Sequence, residues 1–336
     1  MPRRSTIDLA TIAAWPSLHE AAFRAAKGRR GQPSVAAFLS DLDQNLSKIQ
    51  RDVLHHRAPR GEWSVFAIRD PKPRQIAAPC FADRVLHHAL MLHLGPILVR
   101  ALIAGTFACI EGRGSLAAVR RAQHHQRRWP WVVKTDVRRY FASVDHATLQ
   151  RDVLARRFKD AGVLALCARI LARGPTPSAV GLPIGALTSQ FFANSYLDAV
   201  DRFACEQLRV PGYVRYMDDL VWWCRSRAEA RETFEQVRAF AADQRGLELK
   251  PPQIGRADAG VTFLGYRVLP GTLRLSLRRR RRYAAARQRW EARYAAGDID
   301  ALALQRGYAS ALAITAHADA TAWRREQHRR VPPVDA

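Results

Sequence analysis

Tyr216-Met217-Asp218-Asp219 constrains this chain more than any other short segment. It joins two apolar runs, Tyr213-Val214-Arg215-Tyr216-Met217 and Leu220-Val221-Trp222-Trp223. β-Branched and aromatic residues on both sides of a tight acidic pair predict a strand–turn–strand hairpin. Such a turn thrusts out its carboxylates together, and their repulsion costs energy unless a cation sits between them. Hard divalent cations such as Mg²⁺ take oxygen ligands, often a few carboxylates plus substrate phosphates. An Asp-Asp dipeptide alone is also an ordinary surface turn, so the rest of the chain must decide.

Asp136 closes a second strand-like segment, Trp131-Val132-Val133-Lys134-Thr135-Asp136-Val137. An isolated Asp at a strand end often caps a helix. Beside Asp218 and Asp219 it has another reading. Two strand-borne carboxylate groups converging on one sheet face can hold two Mg²⁺ ions. Metals about 4 Å apart activate an attacking oxygen and stabilise a leaving oxygen in phosphoryl transfer.

Asp136 to Phe141, Gly185-Ala186-Leu187-Thr188-Ser189-Gln190 and Tyr216 to Asp219 resemble, in order, motifs A, B and C of reverse transcriptases. Phe263-Leu264-Gly265-Tyr266 resembles motif E, which grips the primer. Arg74 in Pro71-Lys72-Pro73-Arg74, with Asp83-Arg84-Val85, resembles the fingers segment that holds an incoming triphosphate. The resemblance runs from about residue 20 to about residue 325 and implies an α/β (α+β) right-hand polymerase. Its parts would be an N-terminal extension and fingers over 1–130, a palm with a small antiparallel sheet over 131–270, and a basic helical thumb and tail over 271–336.

Within that family, Gly181-Leu182-Pro183-Ile184 through Asn194 is similar to motif B of diversity-generating retroelement enzymes. Retroviral and group II intron enzymes usually place Gln or Pro before the first Gly of this motif, and many follow its Ser with Pro. This chain has Ile184 and Gln190 there. A Gln at the first place hydrogen-bonds the nucleotide sugar, whereas Ile cannot, and apolar contacts discriminate weakly. Relaxed fidelity, notably opposite template adenine, is what the resemblance implies. Ile184 also reads simply as a packing residue. In Phe107-Ala108-Cys109-Ile110-Glu111-Gly112-Arg113-Gly114-Ser115 the chain departs from the family: Ile-Glu replaces an Arg-led pair and Ser-Leu a usual Thr-His.

The resemblance implies these roles. Asp136 and Asp218 are primary ligands of two Mg²⁺ ions, or of Mn²⁺ in their place, assisted by the Val137 carbonyl. Asp219 is the secondary acidic group. Phe141 is the gate that rejects a ribose 2′-hydroxyl, unless it only packs the core. Arg74, with Lys72 or Arg69, clamps the triphosphate by charge-assisted hydrogen bonds. Ser189 and Gln190 face the template–nucleotide pair, and Lys250 protonates pyrophosphate. Arg113, Gly265 and Tyr266 contact nucleic acid. So does the run Arg278, Arg279, Arg280, Arg281, Arg282, through sequence-independent phosphate neutralisation. The same run also reads as a solvated charge cluster.

Net charge supports a polyanionic partner. The chain carries 54 Lys and Arg against 30 Asp and Glu, a formal +24, which exceeds what solubility requires. The implied partners are template RNA, primer and cDNA, dNTPs, and an accessory oligomeric basic protein of the retroelement. No run of about 18 uncharged apolar residues suggests a membrane span. The N-terminus lacks an apolar signal core, and five scattered cysteines read as reduced thiols. These features point to a cytoplasmic protein, bacterial or phage-encoded. His87-His88 and His124-His125 show no zinc-ligand spacing. The chain is too short to add a nuclease domain after a full thumb. Rival readings are a retron-type or defence-associated reverse transcriptase, an RNA-dependent RNA polymerase, and a non-catalytic RNA-binding scaffold.

Periodicity predicts one helix from Ser34 through Val53, with Ser34 as cap. Further helices are expected over 82–94, 115–126, 146–157, 188–208, 227–245 and beyond Leu277. Strands are expected over 63–69, 75–78, 131–137, 247–249 and 261–268, flanking the acidic hairpin.

Overall fold

A computed structural model describes residues 4–69, 73–175 and 178–334. Among the described residues there are nine strands: β1 (Trp63–Arg69), β2 (Pro73–Pro79), β3 (Trp131–Asp136), β4 (Gly212–Tyr216), β5 (Asp219–Cys224), β6 (Gln253–Arg256), β7 (Val261–Phe263), β8 (Tyr266–Val268) and β9 (Leu273–Leu275). The rest is mainly helical, so the architecture is mixed α/β with small sheets. Two compact units share the chain: Met1–Ala104, Asp136–Gln207 and Gln236–Lys250 form one, and Gly105–Thr135, Leu208–Glu235 and Pro251–Ala336 the other.

The first unit is built around helix Phe81–Ala101. Val85, Leu86, Ala89, Leu90, Leu94 and Leu98 are all buried along it, and so are Asp83 and His87. A helix that is apolar around most of its circumference belongs inside a fold. Helices Trp15–Ala26 and Leu187–Tyr196 both pack on it. The β1–β2 hairpin is antiparallel, with Trp63 opposite Pro79 and Arg69 opposite Pro73. Its base is tied by the buried Asp83 carboxylate, which accepts the Arg60 and Gly61 N–H groups at 2.8 Å each.

The second unit contains the four-stranded sheet, in the order β4-β5-β3-β6. β4 pairs antiparallel with β5, and β3 with β6. A second, three-stranded antiparallel sheet has the order β7-β8-β9. Helix Ser115–Arg128 contributes Ala118, Val119 and Ala122 to a core with Val132, Val214, Val221, Trp223, Phe263 and Val268. Helices Leu277–Ala295, Ala301–Ala313 and Thr321–Arg330 follow. The first two pack around a buried polar network. Arg287 Nε lies 3.0 Å from Glu291 Oε1, and the Tyr308 hydroxyl donates to the same oxygen at 2.6 Å. Burial and that carboxylate push the Tyr308 phenol up to about 12.

Several expected elements differ in detail. The helix from Ser34 through Val53 is two helices, Pro33–Ser40 and Leu42–Leu54, broken at Asp41. Gln32, not Ser34, is the N-cap, because Pro33 takes the first helical turn, where its missing N–H costs nothing. The expected helix 146–157 is a short turn, His146–Thr148, continued as a π-helix, Leu149–Leu154. The expected helix 188–208 divides into Leu187–Tyr196, Asp198–Arg202 and a π-helical end, Phe203–Gln207, where Phe203 stacks on Phe240 at 4.1 Å. Residues 261–268 form two strands rather than one. Leu264 and Gly265 both adopt positive φ, 47° and 85°, the sign pattern of a type I′ hairpin turn. The strand expected at 247–249 is an isolated bridge, Val137 with Leu249. Helices Trp15–Ala26 and Ala161–Ala172 and strand β9 were not expected. Among the described residues no helix is long and apolar enough to cross a membrane.

Gly307 offers a test of the packing between helices. In an exposed helix Gly→Ala gains about 1 kcal/mol. Here a Cβ at 307 would lie 2.5 Å from Trp290 Cγ, close to the root of that side chain. Gly307→Ala is therefore expected to destabilise the protein by about 1–3 kcal/mol in urea unfolding. Stabilisation would show that the two helices are not packed this closely.

Candidate active site

The acidic hairpin forms where the pattern predicted it. Tyr216 pairs with Asp219, so Met217 and Asp218 make a two-residue turn. Met217 has φ 54°, a conformation in which glycine is the usual residue and a bulky side chain is strained. The base of the hairpin is rigid. Trp222 and Trp223 are fully buried. Their indole N–H groups donate to Thr233 Oγ1 at 3.1 Å and to Gln126 Oε1 at 2.7 Å. Arg215 is also fully buried, and its Nη1 donates to the Met217 carbonyl at 3.0 Å. Burial pushes the Tyr216 phenol up, so it stays protonated at neutral pH. Lys134, on β3, holds Asp219: its Nζ lies 3.6 Å from Asp219 Oδ1 and donates to the Thr262 carbonyl at 2.9 Å.

Asp136 ends β3 and is a member of the first unit. The Lys250 ammonium forms an ion pair with its Oδ1. The backbone repeats this link, since the Lys250 N–H donates to the Asp136 carbonyl at 2.9 Å and the Arg138 N–H to the Glu248 carbonyl at 2.8 Å. In that ladder the Val137 carbonyl takes no part. Phe141 is half-buried. It follows Tyr140, whose hydroxyl donates to the Ala193 carbonyl, and the two rings meet edge-on at 5.8 Å. The Leu182 N–H donates to the Phe141 carbonyl at 2.6 Å. The Asp136–Phe141 segment and the 181–186 loop are thereby joined.

That loop also receives β2. The Ala77 N–H donates to the Ile184 carbonyl at 2.8 Å. Gly185 has φ 128°, and a Cβ there would lie 2.5 Å from the Ala77 carbonyl oxygen. Only glycine allows this approach. Next along the chain, Ser189 is buried in its helix and Gln190 is exposed. Arg69 and Arg74 are exposed near the end of the β1–β2 hairpin; Lys72 lies outside the described residues. Arg113 Nη1 donates to the Thr106 carbonyl at 3.1 Å.

The arginine run of helix Leu277–Ala295 is not a uniform surface. Successive residues step by 100° around a helix, so five in a row must point both in and out. Arg279 stacks on Tyr266 at 4.1 Å, and Arg280 lies over Trp323 at 5.7 Å. Gly265 permits the first contact, because a Cβ there would lie 2.6 Å from Arg279 Nε. Arg278, Arg281, Arg282, Arg289 and Arg293 are exposed. Residues 278, 282, 289 and 293 fall within about 60° of one another on the helix.

Among the described residues no three His, Cys, Asp or Glu side chains form a ready cage for a metal ion. The donors present nevertheless suit Mg²⁺, which is usually bound by one or two carboxylates together with substrate phosphates. Asp136 and Asp219 each face a lysine ammonium, and both are about 30% exposed. Each already has a cationic side chain against it. A family model described as reverse transcriptase (RNA-dependent DNA polymerase) matches residues 69–268. The chain belongs to the reverse transcriptase family. The match runs from the end of β1 to the end of β8 and includes Asp136, Asp218 and Asp219. The mixed α/β architecture agrees with a polymerase of that family. Protein YkfC of Escherichia coli (strain K12) is 22% identical over 261 residues, covering 64% of this chain and 66% of YkfC. This reverse transcriptase chain thus spans just under two thirds of that relative's length.

Two residues of the hairpin region escaped the motif reading. Lys134 is two positions before Asp136 and shares its strand face by simple alternation. Arg215 is the single charge in an otherwise apolar strand. Both signals were present in the residue pattern.

Proposed function

We propose that this chain catalyses RNA-templated DNA synthesis, with Asp136, Asp218 and Asp219 as its acidic centre and two Mg²⁺ ions as cofactors. The observation that carries this reading is the two-residue turn that presents Asp218 beside Asp219 on a buried, rigid hairpin. The family match spans all three residues. When bound, the two ions would acidify the primer 3′-hydroxyl and carry the charge of departing pyrophosphate. Asp136, Asp218 and the Val137 carbonyl are the ligands in this reading, and Asp219 contributes charge. Lys250, already against Asp136, is positioned to move towards pyrophosphate and protonate it. Arg69, Lys72 and Arg74 bind the triphosphate. Phe141 excludes a ribose 2′-hydroxyl.

The finer reading is error-prone cDNA synthesis in a diversity-generating retroelement, with an accessory oligomeric protein as partner. It rests on Ile184. The Ile184 carbonyl accepts the Ala77 N–H, its side chain is apolar, and apolar contacts discriminate weakly. In this reading residues 1–130 are an N-terminal extension and fingers with the start of the palm, 131–270 the palm, and 271–336 the basic helical thumb and tail. In the thumb the exposed arginine stripe tracks a duplex backbone, while Gly265, Tyr266 and Arg279 support the primer. Arg113, Ser189 and Gln190 serve the template side.

Three measurements test this. Asp218→Asn is expected to abolish primer extension and leave RNA binding nearly intact; full residual activity refutes the assignment. Ile184→Gln is expected to lower misincorporation opposite template adenine, read by sequencing cDNA from a defined template; an unchanged error spectrum removes that role. Replacing Arg278, Arg282, Arg289 and Arg293 by Gln is expected to flatten the dependence of log affinity on log salt by about 0.9 for each phosphate the helix no longer neutralises. An unchanged slope assigns duplex binding elsewhere.

A further inference from the structure

Arg215 is a charge where an apolar residue would be expected. It lies in β4, where Gly212, Tyr213, Val214 and Arg215 itself are all buried, and its partner across the hairpin is Leu220. A guanidinium taken completely out of water is costly unless hydrogen bonds and charge compensate it. One of its bonds is unusual in its target. Nη1 reaches past the end of its own strand to the carbonyl of Met217, two residues on. Met217 is the residue held at φ 54°, and the next residue is Asp218.

The backbone of Arg215 is itself fixed on the side away from β5. Its N–H donates to the Gly105 carbonyl at 2.8 Å, and its carbonyl accepts the Phe107 N–H at 3.0 Å. Arg113 Nη1 reinforces this segment by donating to the Thr106 carbonyl. The arginine therefore reaches from a strand paired on both sides to a strained turn. The side chain of Met217 is held as well, with its sulfur 3.8 Å from the Cys109 thiol.

We propose that Arg215 is a positioning residue for the catalytic turn: by holding the Met217 carbonyl it keeps Met217 in its left-handed conformation and so fixes the direction of the Asp218 carboxylate. The proposal rests on the polymerase reading of Asp218. It explains why the strand carries arginine rather than lysine. A guanidinium offers five donors in a planar fork, so one can bind the turn while others satisfy the interior, whereas an ammonium is a compact point charge. It also explains how a methionine is tolerated at a position that suits glycine. Without the clamp the residue would relax to negative φ, which is favoured for every side chain with a Cβ.

The test uses the full chain and four proteins: wild type, Arg215→Lys, Met217→Gly and the double variant. Three quantities are read: single-turnover primer extension, Mn²⁺ affinity by electron paramagnetic resonance without nucleic acid, and thermal unfolding. Arg215→Lys keeps the charge and loses the reach. It is expected to lower the extension rate about tenfold or more, the size set by releasing one strained residue. Mn²⁺ should bind correspondingly more weakly, with the dNTP KM nearly unchanged. Glycine adopts positive φ without steric cost, so adding Met217→Gly to Arg215→Lys is expected to restore most of both losses. Wild-type rate and Mn²⁺ affinity in a folded Arg215→Lys variant overturn the proposal. So does a loss that Met217→Gly does not restore, and so does an Arg215→Lys variant that fails to fold, since the residue is then structural. If wild type does not extend primers, or Asp218→Asn still does, the polymerase reading fails instead, and Mn²⁺ affinity alone still decides the role of Arg215.

Discussion

Adjacent carboxylates repel, and the two-residue turn puts Asp218 directly before Asp219, the first residue of β5. The hairpin that carries them must therefore be stable enough to absorb that repulsion. Two fully buried tryptophans, each with its indole N–H satisfied, give β5 that stability. Lysines do the rest. Lys134 stands against Asp219 and Lys250 against Asp136, so each acid has a positive neighbour from its own unit. These ion pairs hold the Asp136 and Asp219 carboxylates in place.

The excess of arginine has two uses that composition alone merges. A formal charge of +24 suggests a surface built for phosphates. Part of it is internal: Arg215 is buried at the turn, Arg287 pairs with buried Glu291, and Arg279 and Arg280 lie on aromatic rings. Arginine suits these places because its planar, weakly hydrated head stacks and hydrogen-bonds where an ammonium would stay solvated. The remaining exposed stripe is narrower than the sequence run suggests, yet it is aligned along one side of a helix.

Much of the sheet was legible because strands announce themselves locally. β1, β3, β4, β5 and helix Arg227–Arg245 lie where alternation, β-branching and periodicity placed them. The errors have separate causes. The Leu264-Gly265 turn was missed because an unbroken row of β-formers hides a reversal that depends on backbone sign. The π-helical segments at Leu149–Leu154 and Phe203–Gln207 read as ordinary helix, because over so few residues apolar spacing does not separate i→i+5 from i→i+4 bonding. Helix Trp15–Ala26 buries mostly alanines, which leave little hydrophobic contrast in a window.

The sequence by itself determined the hairpin, the order of the motifs, the acidic residues and the membership that follows from them, because each depends on neighbours within a few positions. Only the tertiary structure decided which cation faces which acid, that Ile184 is tied to Ala77 through its backbone, that Gly185 and Gly265 are close-approach points, and that Arg215 reaches the Met217 carbonyl. Most of those facts depend on residues far apart in the chain meeting at contact distance, and even the Arg215 bond, only two residues on, depends on a turn conformation that no local pattern encodes.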